Sequence, residues 1–549
     1  MKEHGSLTIH PVRLGGLPLL HGVAQKLGLM NLLERYVPTD PRDKIPVSQT
    51  LYVILCNVLL ERFPLYKIEE WAAQRELIAN DLISSLNDDR VGRALDRLFR
   101  TDRASLLTSV VLKAIEQYNL QCDRVHNDST SVTLFGQYNI DHKAAKPNRG
   151  HNKDHRPDLK QLLFSLSVCG DGAVPVYFKV WDGNVTDDKT HLRNWMALRG
   201  LLGRADFTYV ADAKLCTREN MEFIHSEGGY FITVLPETRK EDKTFKDWIQ
   251  TNTPLWQEVG RRKGLRQQNP DSLWWAFESP FLSAEGFRIL WIKSSGKERL
   301  DEEKRRSRID KTVETLIELQ GRSHKSRDRL KSDLGDIFRE NQSERYFHWL
   351  ITRTVEKSYR QAHRGRPRPD SPYRKIEKVI YTFSWSHNQE TIRYEARSDG
   401  LFPLITNKKD LAREILSIYK YQPCLEKRHE QLKSVYHVAP VFLKHPERIE
   451  ALLFLYFLAL LMTALIERTV RKAMKEKGIE SLPIYPEQRE CRRPTANKIL
   501  DLFRDVRKQT ILRKGNPLEV IPDDLNDIQR QVLALFQMNT SDFFLARPG

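Results

Sequence analysis

Three carboxylates stand where this chain could do chemistry. Asp128 lies in "RVHNDSTSVTLFG", a β-branched stretch that reads as a strand and sets an acid among small polar residues. Asp212 ends the short apolar run "FTYVADA", and the carboxyl end of a strand is where α/β sheets present functional groups. Glu426 sits in "YKYQPCLEKRHEQLKS" with Tyr419 seven positions before it and Lys433 seven after. On a continuous helix those three share one stripe. Leu425, Leu432 and Val435 mark a core-facing side, which leaves Glu426 and Lys433 at its edge. Singly, each acid has an ordinary explanation: an edge strand or a turn for the aspartates, a solvated helix face for the glutamate.

Together they imply more. A buried carboxylate needs a partner or a metal. If the first and fourth strands of their region are neighbours, Asp128 and Asp212 converge, and a helix crossing the sheet brings Glu426 as the third acid. Such a set holds two divalent ions about 3.5–4 Å apart, one activating a water or hydroxyl and one stabilising the leaving oxygen. Oxygen-only donors select Mg2+ or Mn2+ over zinc. Lys433 can contact a phosphate beside the ions, and Tyr419 can stack or hydrogen-bond there.

The elements that must position these residues are readable in outline. Residues 1–120 show apolar positions at helical spacing and predict a helical N-terminal domain, which could bind DNA or simply pack. Residues 121–240 predict the order β-β-β-α-β-α-β: "KQLLFSLSVCGDGAVPVYFKVWDGN" is a hairpin around Asp171-Gly172, and a helix follows with Thr186 as its cap. An antiparallel meander followed by crossovers to parallel strands is the succession of an RNase H-like α/β core. Residues 241–404 read as a mixed, largely β insertion, with "ETIRYEA" as one of its strands and a charged helical segment from "KERLDEEKRRSRIDKTVETLIEL" toward "RLKSDLGDIFREN". Helices return at 405–480, closing the core, and 481–549 reads as a helical C-terminal region.

Composition narrows the partner. The 549 residues carry 89 Lys+Arg against 72 Asp+Glu, a formal charge of +17, which is the footprint of a nucleic-acid partner. A membrane is not expected: there is no signal-peptide pattern, and the longest apolar run, "ALLFLYFLALLMTALI", has sixteen residues where a span needs about 20. It reads as a buried core helix. Six scattered cysteines without a CxxC pair predict neither disulfides nor zinc, and a reducing, cytoplasmic setting.

The motifs resemble the DDE transposases of bacterial insertion sequences, in the IS-four group. That group carries Tyr, two residues, Arg, three residues, Glu, six residues, Lys around its third carboxylate. Here the positions are Tyr419, Gln422, Glu426 and Lys433, with Gln422 standing where the group usually has Arg. The resemblance implies a phosphate contact weakened at Gln422 or taken over by Lys420 or Arg428. Asp128-Ser129-Thr130 and "YVADAKL" match the group's two aspartate motifs, and the 214 positions between Asp212 and Glu426 match its β insertion. "HNKDHRPDLKQ", "WDGNVTDD" and "RRPTANKILDLF" look like the long-chain branch containing insertion sequence sixteen-thirty-four.

The resemblance implies Asp128, Asp212 and Glu426 as catalytic, metal-holding residues. The reaction would be cleavage at element ends, exposing a 3′-hydroxyl that attacks target DNA. It further implies a homodimer on paired ends, in a bacterial cytoplasm and on the nucleoid when DNA-bound. DNA contacts are expected from Lys153, His155, Arg156 and Lys160 in "GHNKDHRPDLKQ", where a solvated basic loop is the alternative, from Arg428 and Lys433, and from Arg364 and Arg366 in "RGRP". The last pair is similar to a minor-groove hook, with a plain basic loop as the alternative. Two other functions fit the same residues: a structure-specific endonuclease, and a catalytically silent DNA-binding derivative.

Overall fold

Leucine and valine at helical spacing dominate the first hundred residues, and the chain folds accordingly. A computed structural model describes residues 7–138, 143–150, 156–262, 271–438, 443–513 and 516–547. After β1 (Leu7–Arg13) come α1 (Leu17–Leu27), α2 (Leu29–Tyr36), α3 (Val47–Leu60), α4 (Ile68–Ala73), α5 (Asp88–Arg100) and α6 (Arg103–Tyr118). Strands then take over: β2 (Arg124–Leu134), β3 (Lys160–Cys169), β4 (Pro175–Trp181), α7 (His191–Leu202), β5 (Thr208–Val210), α8 (Arg218–Ser226) and β6 (Tyr230–Val234). The next stretch holds α9 (Lys240–Thr251), β7 (Gln257–Arg262), β8 (Ser272–Glu278), β9 (Arg288–Ser294), α10 (Ser295–Gln320) and α11 (Arg327–Asn341). It continues with β10 (Phe347–Gln361), β11 (Tyr373–His387), α12 (Gln389–Arg397) and β12 (Leu401–Thr406). The chain ends in α13 (Ala412–Tyr419), α14 (Gln422–Glu430), α15 (Pro446–Glu476), α16 (Ala496–Asp501), β13 (Arg507–Arg513), β14 (Asn516–Pro522), α17 (Asp527–Leu535) and α18 (Thr540–Leu545).

This mixed α/β chain forms two compact units. One comprises Met1–Thr233, Asn407–Lys409 and Ile415–Gly549, the other Val234–Thr406 and Asp410–Glu414. In the first, strands follow the order β4-β3-β2-β5-β6. β2, β3 and β4 are antiparallel, whereas β5 pairs parallel to both β2 and β6. The turn from β3 to β4 uses Asp171-Gly172, where Gly172 has φ +80° and a Cβ would press on the Arg468 side chain.

Helices cover both faces of these strands. On one face Asn194 of α7 donates to Ser165 Oγ of β3 at 2.7 Å. On the other, Phe178 of β4 stacks on Phe457 of α15 at 4.8 Å. The apolar run lies inside α15, whose most apolar window is 94% buried within the protein. The N-terminal helices lock onto α15 through the paired bonds of Arg448 to Asp96, both 2.8 Å, and Arg103 to Glu450 at 2.7 Å.

Several sequence expectations need correction. The helix expected to open at Thr186 begins at His191, because Thr190 Oγ1 donates to Asp187 O (2.7 Å) and closes a 3-10 turn first. "ETIRYEA" is not a strand but α12, opened by Asn388, whose side chain accepts from Thr391 N at 3.1 Å. The tail is helical only in part. "TANKILDLFRDVRK" leaves the helix at Asp501, and its last residues enter β13, which pairs antiparallel with β1 and β14. A strand from the far end of the chain overrides local helix propensity there.

In the second unit β7, β8, β9 and β12 form an antiparallel set. Phe245 of α9 stacks on Trp291 of β9 at 4.0 Å, and Arg305 of α10 is paired with buried Asp399 through two 2.6 Å bonds. β10 and β11 make a separate two-stranded ribbon with register Phe347↔His387 to Gln361↔Tyr373. Its base is anchored where Phe347 and Phe383 pack with Leu316, Leu334 and Phe338.

Candidate active site

β2 carries side chains alternately to the two faces of the sheet. Asn127 points one way, donating to Ser167 Oγ (2.9 Å) and Leu166 O (3.3 Å). His126 and Asp128 point the other way, toward α14. Parallel pairing of β2 with β5 matches Arg124 to Thr208 and His126 to Val210. Asp128 follows the last matched residue of β2 by two positions, and Asp212 follows Val210 of β5 by two. Asp212 lies just past β5, where its Oδ1 accepts from Lys214 N at 3.0 Å and opens a 3-10 turn. Thr233 Oγ1 donates to the Asp212 carbonyl at 2.6 Å, tying this corner to β6.

The third acid arrives on α14. The stripe from Tyr419 through Glu426 to Lys433 is not one continuous α-helix. Tyr419 ends α13, Glu426 lies in α14, and Lys433 lies in a π-helical turn at Gln431–Val435. Pro423 is the cause of the first break: it has no N–H to give to the carbonyl of Tyr419, and its ring crowds that carbonyl. The chain turns there through shorter bonds, Tyr421 N to Ile418 O and Cys424 N to Tyr421 O.

α14 is fastened to β2 by Gln422. His126 Nδ1–H donates to Gln422 Oε1 at 3.0 Å, and Gln422 Nε2 donates to Asn127 O at 3.1 Å. Farther along the same helix face, His429 Nε2 lies 3.7 Å from Asp128 Oδ2. Gln422 near His126 and His429 near Asp128 mean that α14 runs in the direction of β2. Glu426, one turn after Gln422, is thereby held on the exposed rim above the strand that carries Asp128. Tyr419 faces two of the acids: burial pushes its hydroxyl up to about 12, and the carboxylates of Asp212 and Glu426 push in the same direction. At neutral pH it is a hydrogen-bond donor. Burial lowers His126 to about 4, against the raising effect of its bond to Gln422. His191 is lowered to about 4 by burial as well, with Asp128 and Asp188 opposing. Both are neutral imidazoles at pH 7.

Three carboxylates would suit a hard divalent cation, and two of them, Asp212 and Glu426, are solvent-exposed. Among the described residues no three His, Cys, Asp or Glu side chains are grouped closely enough to hold a metal ion. Drawing three like charges to ligand distance requires the cation's own charge.

The expected DNA contacts fall in different places. Lys153 and His155 lie outside the described residues. Arg156 is exposed and paired to Asp158 at 2.9 and 2.8 Å, and Lys160 starts β3 and donates to Gln137 O. Arg364 and Arg366 are exposed at the tip of the β10–β11 ribbon, in the second unit. Lys433 is half-buried in the π turn. Gln422 and Arg428 are both committed to partners within the protein. Gln422 is a buried clamp, its amide committed to His126 and Asn127. Arg428, expected to meet a phosphate, is buried, bonding Glu467 at 2.9 Å and the carbonyls of Ala173 and Gly172 at 3.0 Å each. Sequence reasoning missed His126 and His429, although their spacing of two from Asp128 on a strand and three from Glu426 on a helix is the pattern of shared faces.

Residues 10–112 match a family described as a domain of unknown function (DUF4277). No curated protein matches the chain. Among solved structures the chain is similar to a piggyBac transposase synaptic complex with hairpin DNA. The identity is 9%, the match covers 86% of this chain and 79% of that one, and the TM-score is 0.34.

Proposed function

We propose that this chain is a metal-dependent DNA transposase of the DDE type, built on an RNase H-like core with a β-rich insertion, that cleaves element ends and transfers them to target DNA. One observation supports the reading: the Gln422 clamp fastens α14, which carries Glu426, to β2, which carries Asp128, and Tyr419 feels the carboxylates of both Asp212 and Glu426. The net charge of +17 supports a DNA partner. Two Mg2+ or Mn2+ ions, when bound, supply the charge that activates the attacking oxygen and stabilises the leaving one.

The chain's own residues do the rest. Asp128, Asp212 and Glu426 are the carboxylates that would hold the ions. Tyr419, protonated at neutral pH, offers a hydrogen bond to a phosphate oxygen at the mouth of the site, and Lys433 adds a positive charge. Gln422 orients Glu426 without touching DNA. Arg364 and Arg366 at the ribbon tip offer further backbone contacts, and a homodimer on paired ends would give one site per end, in the cytoplasm.

The test is cleavage of a DNA fragment carrying this gene and its flanks, with Mg2+ or Mn2+, every cut mapped. Wild type should cut in pairs at flanking repeats, and Glu426→Gln should not. Cuts only at branched DNA would make it a structure-specific endonuclease. Tight binding with no cleavage under either metal would make it a silent derivative.

A further inference from the structure

Opposite the candidate site, α14 presents a second face. Tyr421, Cys424, Lys427, Arg428 and Gln431 recur at helical spacing and line a cleft of about 640 Å3, closed by α15, the β3–β4 turn and the segment at Arg493–Thr495. We propose that this cleft is a second, non-catalytic anion site, built for phosphate groups.

Its charges do not balance. Arg468 is matched by Asp171 through bonds of 2.9 and 2.5 Å. The buried carboxylate of the cleft, Glu467, is saturated: its Oε2 faces Arg428 at 2.9 Å and Arg471 at 3.3 Å, and its Oε1 accepts from Gln431 Nε2 (3.1 Å) and Ala496 N (3.2 Å). One carboxylate therefore serves two guanidiniums, and Arg493 lines the same space. Burial lowers the pKa of Arg471, Glu467 opposes, and Arg428 and Arg493 lower it further. On the walls, Lys427, Lys475 and Arg493 have no carboxylate partner within ion-pair distance among the described residues, and Lys472 faces the exposed Glu476 at 3.9 Å and the charge of Asp171, which Arg468 already holds.

Arg471 already faces Glu467 at 3.3 Å and donates Nε to Pro494 O at 3.0 Å, so the unmatched charge of the cleft lies with Lys427, Lys475 and Arg493 on its walls. Arginine forks and lysine charges on several sides suit a multiply charged phosphate better than a single carboxylate. The cleft exceeds the size of one phosphate, so it fits consecutive phosphates of a DNA backbone or a free polyphosphate. α14 separates it from Glu426 by about one helix diameter, roughly 10–12 Å. Phosphate binding in the cleft does not require the three carboxylates to be catalytic.

The full-length protein would be titrated with tripolyphosphate, following thermal unfolding, and separately with a fluorescent duplex at several salt concentrations. Lys472→Gln and Arg493→Gln, both at exposed positions, avoid the folding risk of changing Arg471. Tripolyphosphate should raise the wild-type Tm, and the double variant should bind it roughly tenfold more weakly. If the phosphates belong to DNA, the slope of log K against log salt also becomes shallower, by about 0.9 for each phosphate that is no longer neutralised. Weaker tripolyphosphate binding with an unchanged DNA slope assigns the cleft to a free polyphosphate. Tripolyphosphate binding and salt slope both equal to wild type would overturn the proposal. Asp128→Asn should leave both readouts intact, so a failure of the catalytic reading is seen separately in the cleavage assay.

Discussion

The two faces of α14 differ in what their charged residues meet. Toward β2, Gln422 and His429 are buried and Glu426 reaches solvent, so a carboxylate is held at a rim by neighbours that are themselves fixed. Toward the cleft, Arg428 is buried and saturated by Glu467 and two carbonyls, while Lys427 is exposed. The nine-residue helix thus has an acid available for chemistry on one side and a structural cation on the other. What a charged residue does here follows from what it faces, not from its type.

That contrast can be broken by substitution. Glu426→Gln should reduce strand cleavage by roughly a hundred- to a thousandfold while leaving the urea midpoint unchanged, because Glu426 is exposed. Comparable loss of stability would mean that Glu426 is structural. Arg428→Ala should do the reverse, lowering unfolding free energy by about 1–3 kcal/mol, since it removes the shorter of the two ion pairs of Glu467 and leaves the carbonyls of Ala173 and Gly172 without their donor. A stable variant with weakened DNA binding would return Arg428 to the role of a phosphate ligand.

Gln422→Ala sharpens the comparison from between. It leaves His126 and the Asn127 carbonyl unpartnered, which costs about 1–3 kcal/mol, and it frees Glu426 to wander. Cleavage should therefore fall more than DNA affinity does. Equal losses in both would place Gln422 on the DNA.

Acid offers a different handle on the same clamp. His21, His126 and His191 are each lowered by burial to about 4 from the ordinary histidine value of 6.5. Between those two pH values the unfolded chain binds protons that the folded chain refuses, so stability falls as pH drops from about 6.5 toward 4. Tm measured across that range should decline. His126→Gln should flatten the decline, and an unchanged profile would show that His126 is not the neutral partner of Gln422.

The ribbon provides the smallest effect and the exposed counterpart to Arg428. Arg364→Gln with Arg366→Gln should leave stability within about 0.5 kcal/mol, because both lie exposed at a tip away from the packed base. If they meet phosphates, the salt slope of DNA binding becomes shallower by roughly 0.9 for each one. An unchanged slope leaves the tip a plain basic loop.

Local pattern determined a good deal about this protein. β-branched runs and the Asp171-Gly172 turn are short-range signals, and they were enough for the order of strands along the chain and for Asp128 on a strand, whereas Asp212 lies two residues past the end of its strand. Pro423 was also visible, and weighing it would have interrupted the supposed stripe from Tyr419 to Lys433. "ETIRYEA" alternates like a strand, yet the Asn388 cap decides for a helix.

The tertiary structure alone decided who meets whom. Gln422 meets His126 across 296 positions, Arg428 meets Glu467 across 39, and β13 pairs with β1 from the opposite end of the chain. Such pairings leave no periodicity in the sequence, because the residues between them can vary without moving the partners apart. A glutamine where an arginine was expected looked like a weakened site. Burial and two hydrogen bonds make it the joint that holds Glu426 over β2.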